Sequence, residues 1–496
     1  MDKISKLTQA LYKEIYPEQN RFNIPQGYTL AEIGFRDMNS NIPVFEVDLT
    51  SHLGNIEMPF PLFSSAMDTL CGSRLAIALS EMGGCGILYR TKDPEKQMEW
   101  IKEVISHKPG LIEKPVCVHP NDPLEKADEI LNKKKFSTIP VVAKKDNKLK
   151  GLLFTGDISF EGRLTEKTKK WMTPLDKLKV ESYKTSYERI SDRLLNEQNC
   201  SVLPTVDEKG KLKGLYFMKD VRSLNPSFNS EGKPLLGIAI GPGEKDVERV
   251  AKAKDLGVQV FVIDSSHGNC QPVIDQVIRV KKILSEKDLL IVGNIANIDG
   301  YLRLAEAGAD AVKNGIGSGS ICTTSYVTGV GSPMFSLILE LDYAREYLLK
   351  EGKNAPFIIP DGGINGPGDM TRALAAGGNA CMAGKWLVAC DESLAEEEKD
   401  GYIAYRGMAS PEAIKKRVSS SRYGKEKTAP EGISGLVPNR GKLRDWLPQD
   451  IELIKGGFAH AGAFDLTDLQ QITNENPYFF TRFGPAGMDQ IKTRVD

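Results

Sequence analysis

Eight short apolar runs recur along the chain, each running into Gly, Ser, Asp or another polar residue: "PFPLFSSAMD", "CGILYR", "LLGIAIG", "VQVFVIDSSHG", "LLIVGNIAN", "DAVKNGIG", "PFIIPDGG" and "ACMAGKW". Runs without polar alternation describe strands buried on both faces, which is the condition of a parallel sheet. Between most of them lie helical patterns such as "EKDVERVAKAKDLG" and "IDGYLRLAEAGA", closed by glycine, so strand and helix alternate. Eight such units predict an α/β fold, a (β/α)8 TIM barrel. A doubly wound sheet is the competitor, but the Gly-rich candidate for its nucleotide turn, "GIGSGS", lacks the G-x-G-x-x-G spacing.

The spacing breaks once, between "CGILYR" and "LLGIAIG", and there the chain repeats itself. "FSTIPVVAKKDNKLKGLLFTGD" and "CSVLPTVDEKGKLKGLYFMKD" share a strand, a polar hairpin turn, a second strand and a final Asp. The expected organisation is residues 1–109 as an N-terminal extension and the first part of the barrel, 110–225 as an insert, and 226–496 as the remaining barrel with its loops. The repeats resemble paired CBS modules, whose second strand usually ends T-x-x-D and grips a nucleotide ribose. Phe154 and Phe217 stand in the threonine positions, ahead of Asp157 and Asp220. A structural insert and a sensor with a regulatory nucleotide both remain open.

Charge excludes several partners. Lysine plus arginine number 65 against 66 aspartates and glutamates, so no global field calls for nucleic acid or an anionic membrane. Eight cysteines are scattered without CxxC pairs, which argues against zinc and against a disulfide framework. No segment reaches the ~18 uninterrupted apolar residues of a membrane helix, and the start carries no signal core. The expectation is a cytoplasmic protein with reduced thiols acting on small molecules.

In a parallel barrel the strand C-termini open on one face, where catalysis sits. The unusual residues cluster there: "SSAMD" after the first strand, "DSSHGN" after the fourth, Asn294 after the fifth, Lys313 and the loop "NGIGSGSICTTSYVTGVGSP" after the sixth, "DGG" after the seventh and "AGK" after the eighth. Glycines after strands seven and eight commonly present amides to a phosphate. Asp361 can accept from both hydroxyls of a ribose diol, or it can cap a helix. Cys322 lies among hydroxyls and amides, as a nucleophile on a pliable loop would, or it is incidental. "DSSHG" is too compressed for a Ser-His-Asp triad. The long polar stretch 405–442, with Arg422 beside Tyr423, reads as a lid or as a solvated basic loop.

Together these pieces resemble the IMP dehydrogenase/GMP reductase family from about residue 59 onward, in a divergent branch. The family's cysteine loop reads G-x-G-x-G-S-x-C-x-T, and "GIGSGSICTT" fits at every fixed position. The resemblance implies that Cys322 attacks C2 of the IMP purine, that hydride leaves to NAD, and that Arg422 with Tyr423 on a flap activates the water that hydrolyses the XMP adduct, Thr324 assisting. It implies IMP contacts at Ser65, Ser320, Asp361, Gly363, Gly384, Tyr405, Gly407 and Met408, with Asn294 near the base and Glu431 on the hypoxanthine. Lys385, where Ser is common, would add a cation for the phosphate. NAD would lie against Asp264, Ser265, Ser266 and Gly315. A potassium ion would take carbonyls of Gly317, Gly319 and Cys322, completed by a neighbouring subunit's C-terminus in a homotetramer. Here that terminus, "GPAGMDQIKTRV", lacks the usual glutamate-containing motif.

"SSSRYGKEK" and "PEGISGLVP" follow the dehydrogenase pattern, so NAD-dependent oxidation is the favoured expectation. GMP reductase, which deaminates GMP with NADPH, and a non-catalytic nucleotide sensor are the alternatives.

Overall fold

All eight apolar runs are strands: Leu62–Ser64, Gly86–Leu88, Leu236–Ile240, Val260–Asp264, Leu289–Ile295, Ala311–Asn314, Phe357–Pro360 and Cys381–Ala383. The computed structural model describes residues 2–18, 26–158, 164–198, 200–416, 429–476 and 478–484. The chain divides into two units, Met1–His107 with Asn225–Asp496, and Lys108–Leu224.

In the larger unit six strands form one parallel sheet, running in space from Phe357–Pro360 through the sixth, fifth, fourth and third strands to Gly86–Leu88. The other two pair in parallel with each other, Leu62 opposite Cys381. Single parallel bridges, Phe63 to Cys85 and Asp361 to Met382, run from that pair to the residues flanking the sheet's two edges. The unit is an α/β fold built on this six-stranded sheet. Val260, Val262, Leu289, Ile291, Ala311 and Ile359 join one buried cluster, while the alternating Phe261, Ile263, Leu290 and Val292 are fully buried as well. Successive side chains point to opposite faces of a strand, so both faces are covered, which is why the runs are apolar throughout.

The intervening helices end as their sequences suggest. Asn297 caps Ile298–Ala307 by accepting from Gly300 N, and Gly308 closes it at φ 97°, in the left-handed region. In the N-terminal extension an amphipathic helix, Lys3–Ile15, lies on this outer layer. Tyr16 donates to Glu340 at 2.7 Å and Arg303 pairs with Asp2 at 2.9 Å. No helix among the described residues is long and apolar enough to cross a membrane.

The helix Met334–Lys350 carries Asp342 into the interior against Gly377, whose φ is +111° and whose missing Cβ would lie 2.5 Å from Asp342 Cγ. Burial pushes the Asp342 carboxyl up to about 7, opposed by Arg345 and reinforced by Glu346. An acid with a raised folded pKa holds a proton that the unfolded chain releases, so its contribution to stability falls as pH rises from about 4 to about 7. Asp342→Asn is therefore expected to stabilise the protein at pH 8 by roughly 2–4 kcal/mol and to flatten this slope. Melting curves of both proteins from pH 5 to 8 read it directly; parallel curves would contradict it.

The smaller unit contains the repeat. Thr138–Val142 pairs antiparallel with Leu149–Phe154, and Val202–Val206 with Leu212–Phe217. Both hairpins carry a register shift at the same place, Val141/Val142 and Thr205/Val206. Each follows a helix, Leu124–Lys134 or Tyr187–Leu195. The hairpin tips join through Leu149 N to Gly210 O and Leu212 N to Asn147 O, both 3.1 Å. Val142, Leu149, Leu152, Leu212 and Leu215 form the core between copies, with Phe154 and Phe217 packed against it. Asp157 accepts from Phe154 N at 2.8 Å, capping its own turn.

Candidate active site

The strands' C-terminal turns surround one cavity of about 140 Å³, open to solvent. Its floor is organised by Lys313, which lies in the fully buried strand Ala311–Asn314 and is only 1% exposed. A buried ammonium is costly unless paired. Its Nζ lies 2.7 Å from Asp264 Oδ1 and 3.0 Å from Asp361 Oδ2, and it also donates to Asn294 Oδ1. The Asn294 amide donates to Gly315 O at 2.8 Å and to Asp361 Oδ2 at 3.0 Å, and Ser65 Oγ to Asp361 Oδ1 at 3.4 Å.

Parallel register brings these ends together, because Gly293 stands opposite Asp264 in one ladder and Lys313 in the next. Any Cβ on Gly293 would lie 2.1 Å from Lys313 O. Gly315, at φ +129°, is equally required: its Cβ would meet Asp361 O at 2.3 Å.

Cys322 stands at the wall, half-buried. Its Sγ donates to Thr324 Oγ1 at 3.3 Å, and that hydroxyl donates to Glu431 Oε2 at 3.1 Å. Glu431 is held there by a main-chain ladder: Cys322 bridges Gly432, Thr323 N reaches Glu431 O at 3.0 Å, and Glu431 N reaches Ala409 O at 3.0 Å. Thiol, hydroxyl and carboxylate thus form one hydrogen-bonded line.

A further part of the lining is Tyr405, on the strand Tyr402–Arg406, which pairs antiparallel with Ser434–Pro438. Burial raises the Tyr405 phenol well above its ordinary range, and the Asp361 charge adds to this, so the hydroxyl stays neutral and can donate. A Cβ on Gly384 would sit 2.7 Å from the Tyr405 hydroxyl oxygen. Ser320, Gly363, Lys385, Gly407 and Met408 also line the cavity.

Most of the residues singled out from the sequence therefore meet in one place: Ser65, Asp264, Ser266, Asn294, Gly315, Gly317, Gly319, Ser320, Cys322, Thr324, Asp361, Gly363, Gly384, Lys385, Tyr405, Gly407, Met408 and Glu431 all line it. Ser265 does not. Its main chain pairs with Gly293 and Asn294, and its hydroxyl lies 3.3 Å from His267 N, inside its own turn. The helix-cap reading of Asp361 also fails, since its carboxylate takes Lys313 and Asn294 while Gly366 occupies the N-cap of Pro367–Ala375. Arg422, Tyr423 and most of the C-terminal segment lie outside the described residues.

Two features escaped sequence reasoning: a role for Lys313, although a lysine inside a buried strand is itself a signal, and the Arg406–Asp68 ion pair beside Tyr405, which nothing local announces. No group of three or more His, Cys, Asp or Glu suited to a metal occurs among the described residues. The cysteine loop instead offers main-chain oxygens. Gly319 O accepts from Cys322 N at 3.0 Å and retains a second lone pair, and Gly317 turns at φ +80° over Ser325. Neutral carbonyl donors fit a potassium ion.

A family model described as "IMP dehydrogenase / GMP reductase domain" matches residues 27–491. The chain is 37% identical to inosine-5'-monophosphate dehydrogenase of Aquifex aeolicus over 90% of its length and 92% of that protein's. Against the Bacillus subtilis enzyme of the same name it is 34% identical over 93% and 94%. Among solved structures, GMP reductase from Trypanosoma brucei superposes with a TM-score of 0.71 at 29% identity, covering 95% of this chain and 99% of that one. A second structure of it, with guanosine 5'-monophosphate, gives 0.67 at 29% identity, covering 95% and 98%. The cysteine loop, the Asp- and Gly-bearing strand ends and these matches along nearly the whole chain have one explanation: the protein belongs to the IMP dehydrogenase/GMP reductase family of oxidoreductases.

Proposed function

We propose that this protein oxidises IMP to XMP with NAD, supplying guanine nucleotide synthesis. The observation that carries the reading is the line from Cys322 through Thr324 to Glu431 at the edge of a cavity floored by Asp361 and Asn294. Cys322 loses its proton along that line and bonds to C2 of the purine. NAD, when bound, accepts the hydride that leaves C2. Water then adds at C2, the C–S bond breaks, the sulfur is reprotonated, and XMP departs. Asp361 accepts from the ribose hydroxyls, Ser65, Ser320, Gly363, Gly384, Tyr405, Gly407, Met408 and Lys385 surround the phosphate end, and Asp264, Ser266 and Gly315 flank the dinucleotide. Carbonyls of Gly317, Gly319 and Cys322 would hold potassium, bracing the loop that carries the thiol.

In this reading the eight strands close a (β/α)8 barrel, the repeats of residues 110–225 are a CBS pair open to a regulatory nucleotide, and the assembly is a homotetramer. Arg422 with Tyr423 takes the proton of the hydrolytic water. Arginine's pKa of about 12.5 or more makes it a base only where desolvation perturbs it. Arg422→Ala is expected to leave the first hydride transfer within about threefold of wild type and to slow XMP release by roughly 10²–10⁴-fold. A pre-steady-state burst of NADH followed by slow turnover is the signature, and equal loss of both phases would count against the role.

A second reading, reduction of GMP with NADPH, is favoured by the likeness to GMP reductase structures at TM-scores of 0.67 and 0.71. One pair of assays separates them. Rising absorbance at 340 nm with IMP and NAD supports the dehydrogenase; falling absorbance with GMP and NADPH, and none with the first pair, supports the reductase.

A further inference from the structure

We propose that Lys313 is a positioning residue that serves as the shared counter-ion of the two ligand subsites, offsetting the charge of Asp361 on the nucleotide side and of Asp264 on the cofactor side and orienting both. The inference rests on the reading above for which ligand each carboxylate meets. Lys313 itself is 1% exposed, bonded on one side to Asp264 at 2.7 Å and on the other to Asp361 at 3.0 Å. These carboxylates come from strands on either side of it, and Asn294 ties the group together by accepting from Lys313 and donating to Asp361 at 3.0 Å.

The physical need is plain. Two carboxylates facing one partly desolvated cavity repel each other, and without a cation between them they are driven apart. A carboxylate swung out of place can no longer accept from both hydroxyls of a ribose. One ammonium between them offsets that repulsion and fixes their distance from each other. The lysine touches no ligand in this scheme; it acts through Asp264 and Asp361.

Three variants test this by calorimetric titration with IMP, with GMP and with NAD, each ligand alone. Lys313→Met removes the charge and keeps the stem. Affinity for the nucleotide and for NAD should each fall by about 10²-fold or more. Lys313→Arg should recover part of both losses. The decisive protein is Lys313→Met with Asp264→Asn. Having one carboxylate left at the site, it should bind IMP within about tenfold of wild type, while NAD stays weak. A structural role alone would not return one ligand and not the other. Two outcomes overturn the inference: Lys313→Met binding both ligands as wild type does, or the double variant binding IMP no better than the single. Should Lys313→Met fail to fold, the double variant is read by itself: folded with near wild-type IMP affinity supports the shared counter-ion, and an unfolded double overturns it. Failure of the functional reading looks different, because wild type would then bind IMP or GMP without yielding NADH from IMP and NAD.

Discussion

Cys322→Ala is expected to abolish turnover: NADH formation from IMP and NAD should fall by about 10⁴-fold or more, while IMP should still bind within about tenfold of wild type. The side chain is half-buried at the cavity wall, so its removal empties little space and breaks no core contact. What disappears is the atom proposed to bond to C2. Without it, expulsion of hydride from an aromatic purine has no covalent intermediate to lower its barrier. Cys322→Ser should be nearly as inactive, because an alkoxide is far harder to form than a thiolate at neutral pH. Mass spectrometry of the peptide carrying Cys322, after mixing wild type with IMP and NAD, should find the added purine nucleotide and should find none in either variant. Undiminished turnover by the serine variant would remove the basis of the mechanism.

Asp361→Ala has the second largest effect, and it divides differently. The KM for IMP should rise by about 10²–10⁴-fold, since two hydrogen bonds to a charged acceptor are lost at ~1.5–3 kcal/mol each. Asn294 and Ser65 each lose one hydrogen bond, Asn294 keeps Gly315 O and Lys313, and Lys313 keeps Asp264 at 2.7 Å. The fold should therefore survive with a melting temperature only a few degrees lower. Saturating IMP should restore much of kcat, in contrast to Cys322→Ala, where no concentration does. If KM stayed within threefold of wild type, the carboxylate would not be the ribose acceptor, and the orientation of the nucleotide in the cavity would have to be reversed.

The two predictions mark two kinds of legibility. Cys322 and its glycines could be read because a pliable loop bearing one thiol is a local pattern: Gly317 turns the loop at φ +80°, and it and Gly319 lie within five residues of the sulfur. Glu431, far along the chain, came only from resemblance, and its bond to Thr324 depends on the pairing of Gly432 with Cys322. Ser265 lies off the cavity lining for a related reason. Its neighbours Asp264 and Ser266 reach the cavity, and spacing alone does not tell which of three consecutive polar residues folds back into its own turn.

The linear chain determined the strands, since a run such as "VQVFVID" has no polar alternation to offer and is stable only when covered on both sides. It also determined where helices stop, as Gly308 does by adopting a conformation that side chains resist. Tertiary structure alone decided which charges met. Asp264, Lys313 and Asp361 are separated by about fifty residues at each step and carry no shared motif. Parallel register, set by hydrogen bonding between backbones that ignore side-chain identity, placed them within 3.0 Å. A buried cation interacts with whatever carboxylate the packing delivers, so that choice is written in the geometry of the sheet.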